Sequence, residues 1–259
     1  MNGIYYLIGM LVFAVVVFFI FLITRKNKNL DNDYYRYDYD KYDHDGYIQE
    51  EEIIDPEKER DISLLNEMSK KYVNNLVGKE LLILYKDKTT MKYDVYEIEF
   101  HRHSFLHLTG IEFMKSQDFN GKSIVFLEKC LSNQLRYSDI TYKSDGSTRN
   151  KLDNLRTVVN IDKEARMIGD FIESGTKLYT EKAIGNTRVS IGLVKGEANF
   201  VPNTLLVKDI RNVSDAHPIK AIYMKRTGQS KYFEKTFESK DFDYRMIQSS
   251  LKDRIMSDK

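Results

Sequence analysis

"KLYTEKAIG" (Lys177–Gly185) is separated from "TRVSIGLVKG" (Thr187–Gly196) by a single asparagine. Both runs are short, rich in β-branched and aliphatic residues, and closed by glycine, which reads as two strands joined by a tight turn. Three more runs of the same texture follow: "ANFVPNT" (Ala198–Thr204), "PIKAIYMKRT" (Pro218–Thr227) and "KYFEKTF" (Lys231–Phe237). From about Phe171 onward the chain therefore reads as an antiparallel meander. Upstream the period changes. "DISLLNEMSKKYVNNLVGK" (Asp61–Lys79) places Ile62, Leu65, Met68, Tyr72, Val73 and Leu76 at helical spacing, with Gly78 to end the helix. "GKSIVFLEKCLSNQL" (Gly121–Leu135) has an amphipathic helical pattern, and "NKLDNLRTVVNI" (Asn150–Ile161) a weaker one. Two strands, "ELLILYKD" (Glu80–Asp87) and "MKYDVYEIEF" (Met91–Phe100), come before these. In the second, Tyr93, Val95, Glu97 and Glu99 alternate with Asp94, Tyr96, Ile98 and Phe100. The closing "FDYRMIQSSLKDRIM" (Phe242–Met256) fits a short helix. Helices followed by a meander make an α+β domain.

The first 60 residues have a different composition. "GIYYLIGMLVFAVVVFFIFLIT" (Gly3–Thr24) is uncharged and apolar on every face. Twenty-two helical residues span about 33 Å, enough for a hydrocarbon core of about 30 Å. A cleaved signal peptide would want a basic start, a shorter apolar run and a small-residue cleavage site, all missing here. The segment is expected to be a single-pass membrane anchor. No Lys or Arg precedes it and "RKNK" follows it, so the C-terminal body is expected on the cytoplasmic side. The lone cysteine, Cys130, suits that reducing compartment and cannot form an intramolecular disulfide. Between Asp31 and Arg60 there are 12 acidic and four basic residues, with tyrosines between them and few aliphatics, which reads as a solvated tether. Within it, "KYDHDGYIQEEE" (Lys41–Glu52) imitates a calcium loop but puts Lys41 where the first carboxylate ligand belongs. The net charge of +1 thus combines +3 in the basic flank, −8 in the tether and +6 in the body from Asp61 on. The expected organisation is an anchor over 1–24, a basic flank and acidic tether over 25–60, and an α+β body over 61–259.

Several chemistries are excluded by pattern. There is no Walker loop, no G-x-G-x-x-G after a strand, and no G-x-S-x-G elbow. Cys130 has no partner for a zinc site. "HRHSFLH" holds His101, His103 and His107, but a third metal ligand and an acidic outer shell are not evident. His107, inside "FLHLTGIEF" (Phe105–Phe113), is surrounded by apolar residues, and spacing alone favours a structural histidine.

A resemblance changes the weight of that histidine. "FLHLTGI" (Phe105–Ile111), "LYTEKAIGNTRVSIGLV" (Leu178–Val194), "NFVPNTLL" (Asn199–Leu206), "HPIKAIYMKR" (His217–Arg226) and "SKYFEKT" (Ser230–Thr236) occur in this order. Together they resemble a phage-associated branch of the Barnase–EndoU–colicin E5/D–RelE-like nucleases, over a core of about 79–239. The resemblance implies helices followed by a small four-stranded antiparallel sheet. It also implies metal-independent, cofactor-free cleavage of RNA, in which a ribose 2′-hydroxyl attacks the adjacent phosphorus. That reaction needs a base, an acid and cations beside the phosphate. His107 is the candidate proton carrier, with Thr109 to orient it or to donate to phosphate. Arg188 and Lys225, on expected strands, are candidate phosphate-holding cations. Tyr232 is a candidate for stacking on a base, and Lys182 is a reserve cation. The implied partners are RNA, the bilayer through the anchor, and an immunity protein to restrain the activity. The competing expectation is a nuclease-like domain without catalysis that binds RNA or protein at the membrane.

Overall fold

A computed structural model describes residues 55–113, 121–172 and 179–255. The expected membrane anchor and the imitation calcium loop lie outside these residues. Among the described residues no helix is long and apolar enough to cross a membrane.

Helix α1 (Pro56–Asn75) begins earlier than its apolar periodicity suggests. The Asp55 carboxylate accepts from the Glu57 amide (2.9 Å), Pro56 occupies the first turn, and Glu57 and Glu59 face the positive helix end. Its buried stripe, Leu65, Met68 and Tyr72, belongs to the main core, to which strand β1 (Lys79–Lys86) also contributes. Both faces of β1 are buried. Leu81, Ile83 and Tyr85 join the main core, while Leu82 and Leu84 meet Ala221, Tyr223, Tyr232, Ile247, Leu251 and Ile255 in a second one. A strand covered on both sides reads as the unbroken apolar run seen in "LLILY".

The chain continues through β2 (Tyr93–Glu99), α2 (Ser104–Thr109), β3 (Glu112–Phe113), α3 (Lys122–Leu131) and β4 (Ile140–Thr141). Three short helices follow, α4 (Ser147–Asp153), α5 (Leu155–Val158) and α6 (Ile161–Glu164), where the sequence suggested one helix over Asn150–Ile161. Strands β5 (Met167–Asp170), β6 (Lys182–Gly185), β7 (Ser190–Lys195), β8 (Phe200–Leu206), β9 (His217–Arg226) and β10 (Glu234–Glu238) complete the sheet, before the short α7 (Ser249–Lys252). The expected C-terminal helix is likewise only a 3₁₀ turn (Tyr244–Met246) and α7.

The domain is α+β, as the sequence indicates, but the expected small four-stranded sheet is corrected. Eight strands lie in the order β1-β2-β8-β7-β6-β5-β9-β10, and β1 also pairs with β9, so seven of them close into a barrel. The closure has two thin seams. Strands β2 and β8 are parallel and pair only at Ile98 and Phe200; β5 and β9 pair at Met167–Pro218 and Ile168–His217. Elsewhere the neighbours are antiparallel and pair over their length, as in β1–β2 from Glu80–Glu99 to Lys86–Tyr93. Past Phe100 the chain leaves the sheet, and α2 packs beside β8. That departure positions the candidate site.

Candidate active site

Helix α2 is short, and five of its six residues are buried: Ser104, Phe105, Leu106, Leu108 and Thr109. The Phe105 ring lies 5.1 Å from Tyr72 and 6.0 Å from Phe126, fixing the helix between α1 and α3. His107 is the exception and faces solvent. Its apolar sequence neighbours are its anchors rather than its surroundings. The helix ends at Gly110, whose φ of +71° is the left-handed conformation that glycine adopts without a Cβ penalty. The Thr109 hydroxyl donates to the Leu106 carbonyl (2.8 Å) and accepts from the Ile111 amide (3.2 Å). Thr109 is thus the turn-capping hydroxyl, buried and committed to the backbone, and not a group aimed at phosphate.

A second threonine brings lysines to His107. The Thr148 hydroxyl, at the start of α4, donates to the Gly110 carbonyl (2.8 Å) and accepts from the Lys143 amide (3.0 Å). One turn later, Lys151 lies over Gly110 so closely that a Cβ there would meet its Cδ at 2.7 Å. Partial desolvation, with the charges of Lys151 and Lys143, holds the His107 pKa below the ordinary imidazole value. The ring is crowded from behind although its residue remains exposed. Burial, aided by Lys143, brings the Lys151 ammonium down to about 8. Asp145 opposes that shift weakly. The result is an imidazole inclined to be neutral at pH 7 beside an ammonium of unusual acidity. No sequence signal singled out Lys143 or Lys151; the resemblance drew attention to "FLHLTG" without giving it a helix, and the lysines come from the segment after β4.

The remaining sequence candidates sit elsewhere. Arg188 is exposed in the β6–β7 turn, its amide donating to Asn186 Oδ1 (2.8 Å), and not on a strand as expected. Lys225, on β9, is 3.1 Å from Glu80 Oε2 and 4.8 Å above the Tyr232 ring. Tyr232 is fully buried and donates to Glu97 Oε2 (2.8 Å), which also accepts from Arg254 (2.5 Å). Burial would raise the Glu97 pKa, but Arg254 and Tyr232 outweigh it and lower it. Burial, then Glu97, pushes the Tyr232 phenol up. Lys225 and Tyr232 are therefore brought together, but as part of a clamp that holds the C-terminal segment to the barrel. A ring with no exposed face cannot stack on a base.

A family model described as phage-Barnase-EndoU-ColicinE5/D-RelE like nuclease4 matches residues 64–241, from within α1 to just past β10. The chain belongs to that nuclease family. No curated protein and no solved structure matches it. Membership implies an RNA substrate, and polyanion binding gives a test of the cluster that holds Lys182.

That cluster occupies the end of the nuclease barrel where both thin seams lie. Lys182, the reserve cation, donates to the Tyr96 hydroxyl (3.2 Å) and to Asp170, and its ammonium lies 4.8 Å from the Tyr96 ring centroid. Tyr96 stacks on Tyr85 (centroids 5.0 Å apart, 4° between planes) and donates to Asp170 (3.1 Å). Burial pushes the Tyr96 phenol up to about 12. His217 is tilted against Tyr85, accepts from the Lys88 amide through Nδ1 (3.1 Å), and holds Nε2 3.7 Å from Asp215 and 3.9 Å from Asp87. With Asp94 bonded to Tyr85 (3.3 Å), four carboxylates surround one lysine and one histidine. Such a field repels phosphate. We read these groups as a polar latch across the β2–β8 and β5–β9 seams.

Proposed function

We propose that this nuclease-family chain is a metal-independent endoribonuclease acting as a toxin or defence protein, with His107 and Lys151 as its proton-transfer pair. The observation that carries the reading is the exposed imidazole beside two lysines, on a helix whose other side chains are buried. In the proposed reaction the neutral His107 imidazole takes the proton of the 2′-hydroxyl as that oxygen attacks phosphorus. The P–O5′ bond breaks, and the departing 5′-oxygen takes a proton from the Lys151 ammonium. The Lys143 ammonium stabilises the charge that gathers on the non-bridging oxygens. The products are a 2′,3′-cyclic phosphate and a free 5′-hydroxyl. His107, held below the ordinary imidazole value, is suited to the base role, and Lys151, brought down toward neutrality, to the acid role.

Gly3–Thr24 is proposed to hold the enzyme in the bilayer with the body on the cytoplasmic face, where uncontrolled cleavage would call for an immunity protein. The test is cleavage of total RNA by the full-length chain in EDTA, wild type beside His107→Gln, with the product ends mapped. Cyclic phosphate ends from the wild type alone are expected. If a folded wild-type chain binds RNA and leaves it intact, the noncatalytic binding-module reading takes over.

A further inference from the structure

Two histidines near His107 have no place in that reaction. His101 and His103 flank the start of α2, their rings stacked with centroids 5.2 Å apart and planes 15° from parallel. His103 is exposed and precedes His107 by four residues, about one helical turn. With Lys151 over the far end of the helix, the row His101–His103–His107–Lys151–Lys143 runs along one side of α2. Each member of this row can be a cation, and none is an anion.

The charges on neighbouring elements are largely engaged elsewhere. Arg102 pairs with Glu128 on α3, and Lys129 on α3 pairs with Asp139 (2.9 Å). Arg149 on α4 pairs with Asp61, Glu57 (3.4 Å) and Asp153 (3.7 Å), and Arg156 on α5 pairs with Glu67 (2.8 Å). Strand β8, against which α2 packs, has no charged residue, and Lys122 on α3 adds another positive charge. Among the described residues, Glu99, 3.8 Å from His101 Nδ1, and Asp145, near Lys151, oppose the row, and Glu112 on β3 lies just past its end in the chain. Partial burial, followed by the charges of His101 and His107, lowers the His103 pKa. The row is therefore under mutual repulsion that an anion would relieve.

We propose that His101 and His103 form a second phosphate subsite that holds the RNA backbone beside the bond presented to His107, taking up protons as it does so. The choice of ligand rests on the nuclease reading. An RNA phosphate placed there stabilises imidazolium, so binding and protonation reinforce each other. The affinity for RNA consequently rises as the pH falls through the imidazole range, and the salt dependence steepens with it, because each additional cation at a phosphate releases another counterion.

The test uses the full-length chain and a labelled single-stranded RNA with 2′-O-methyl riboses, which binds but lacks the attacking hydroxyl. Its dissociation constant is measured at pH 7.5 and 5.5 for wild type and for the His101→Gln/His103→Gln double variant. Wild type is expected to tighten by about tenfold. The double variant is expected to lose most of the gain on acidification. His103→Gln alone, at an exposed ring, provides the same contrast should the double variant fail to fold. A flat wild-type profile, or an undiminished gain in a folded variant, overturns the subsite. Cleavage of unmodified RNA is followed in parallel. Cleavage without proton-linked binding removes the subsite and leaves the nuclease reading standing; proton-linked binding without cleavage does the reverse.

Discussion

The side of α2 and the mouth of the barrel contain the same side-chain types in opposite electrical states. At the mouth, Lys182 and His217 lie among Asp87, Asp94, Asp170 and Asp215, and each cation has a carboxylate in reach. Along α2, His107, Lys151 and Lys143 lie together, and each depresses or is depressed by its neighbours. The first arrangement stabilises a fold whose seams have few backbone bonds. The second destabilises the fold and leaves cations for a polyanion. A histidine beside a lysine is thus not a site by itself; the charge of the residues around the pair decides whether it serves folding or chemistry.

The largest effect that would break this contrast is on catalysis. His107→Gln is expected to lower the rate of RNA cleavage by about 10²-fold or more, the usual contribution of a positioned proton carrier, with an unchanged urea unfolding midpoint. Lys182→Met should do the opposite. Removing the latch lysine takes the ammonium donor from both Asp170 and Tyr96, leaving Asp170 with the Tyr96 hydroxyl, and is expected to cost about 1–2 kcal/mol in urea unfolding, while cleavage under folding conditions stays within about twofold.

Lys151→Met sharpens the comparison through its sign. The Lys151 pKa is about 8 in the folded chain against an ordinary 10.5, so between those values the unfolded chain binds the extra proton. Stability contributed by this site therefore rises with pH from about 8 to about 10.5, and below 8 its charge weighs against folding. Lys151→Met is expected to gain about 1 kcal/mol in urea unfolding at pH 7 and to lose cleavage activity, a trade common where function needs a strained charge. The mouth titrates in the reverse sense. Lys182 and Tyr96 overcome burial to hold the Asp170 carboxyl below 3.8, so its stabilisation is present above that value and is lost as pH falls through the lowered one. The smallest effect is expected at Gly110→Ala, which forces a left-handed alanine against Lys151. A loss of about 1 kcal/mol and a shifted alkaline limb of the rate profile are the readouts.

The elements that were legible in the sequence are those with local signatures. The stripe Leu65–Met68–Tyr72 gave α1, and the strand runs of β1, β2, β7 and β9 were evident as strands. Closure of the barrel was not, because it depends on Ile98 meeting Phe200 and on Met167 and Ile168 meeting Pro218 and His217, pairings between residues far apart in the chain. Thr109 and Tyr232 looked available because a sequence does not show that a hydroxyl is already bonded to Leu106 or to Glu97. The lysines that give His107 its setting were hidden in a segment whose weak helical period breaks into three pieces, and Thr148 is what carries them to α2.

The account stands most directly on the pH dependence of the cleavage rate of a short RNA by the full-length chain, measured from pH 5 to pH 9.5 in EDTA. A bell is expected, with an acid limb below 6.5 that disappears in His107→Gln and an alkaline limb near 8 that disappears in Lys151→Met. A profile whose two limbs survive both substitutions, at the wild-type rate, would contradict the assignment of the site to α2.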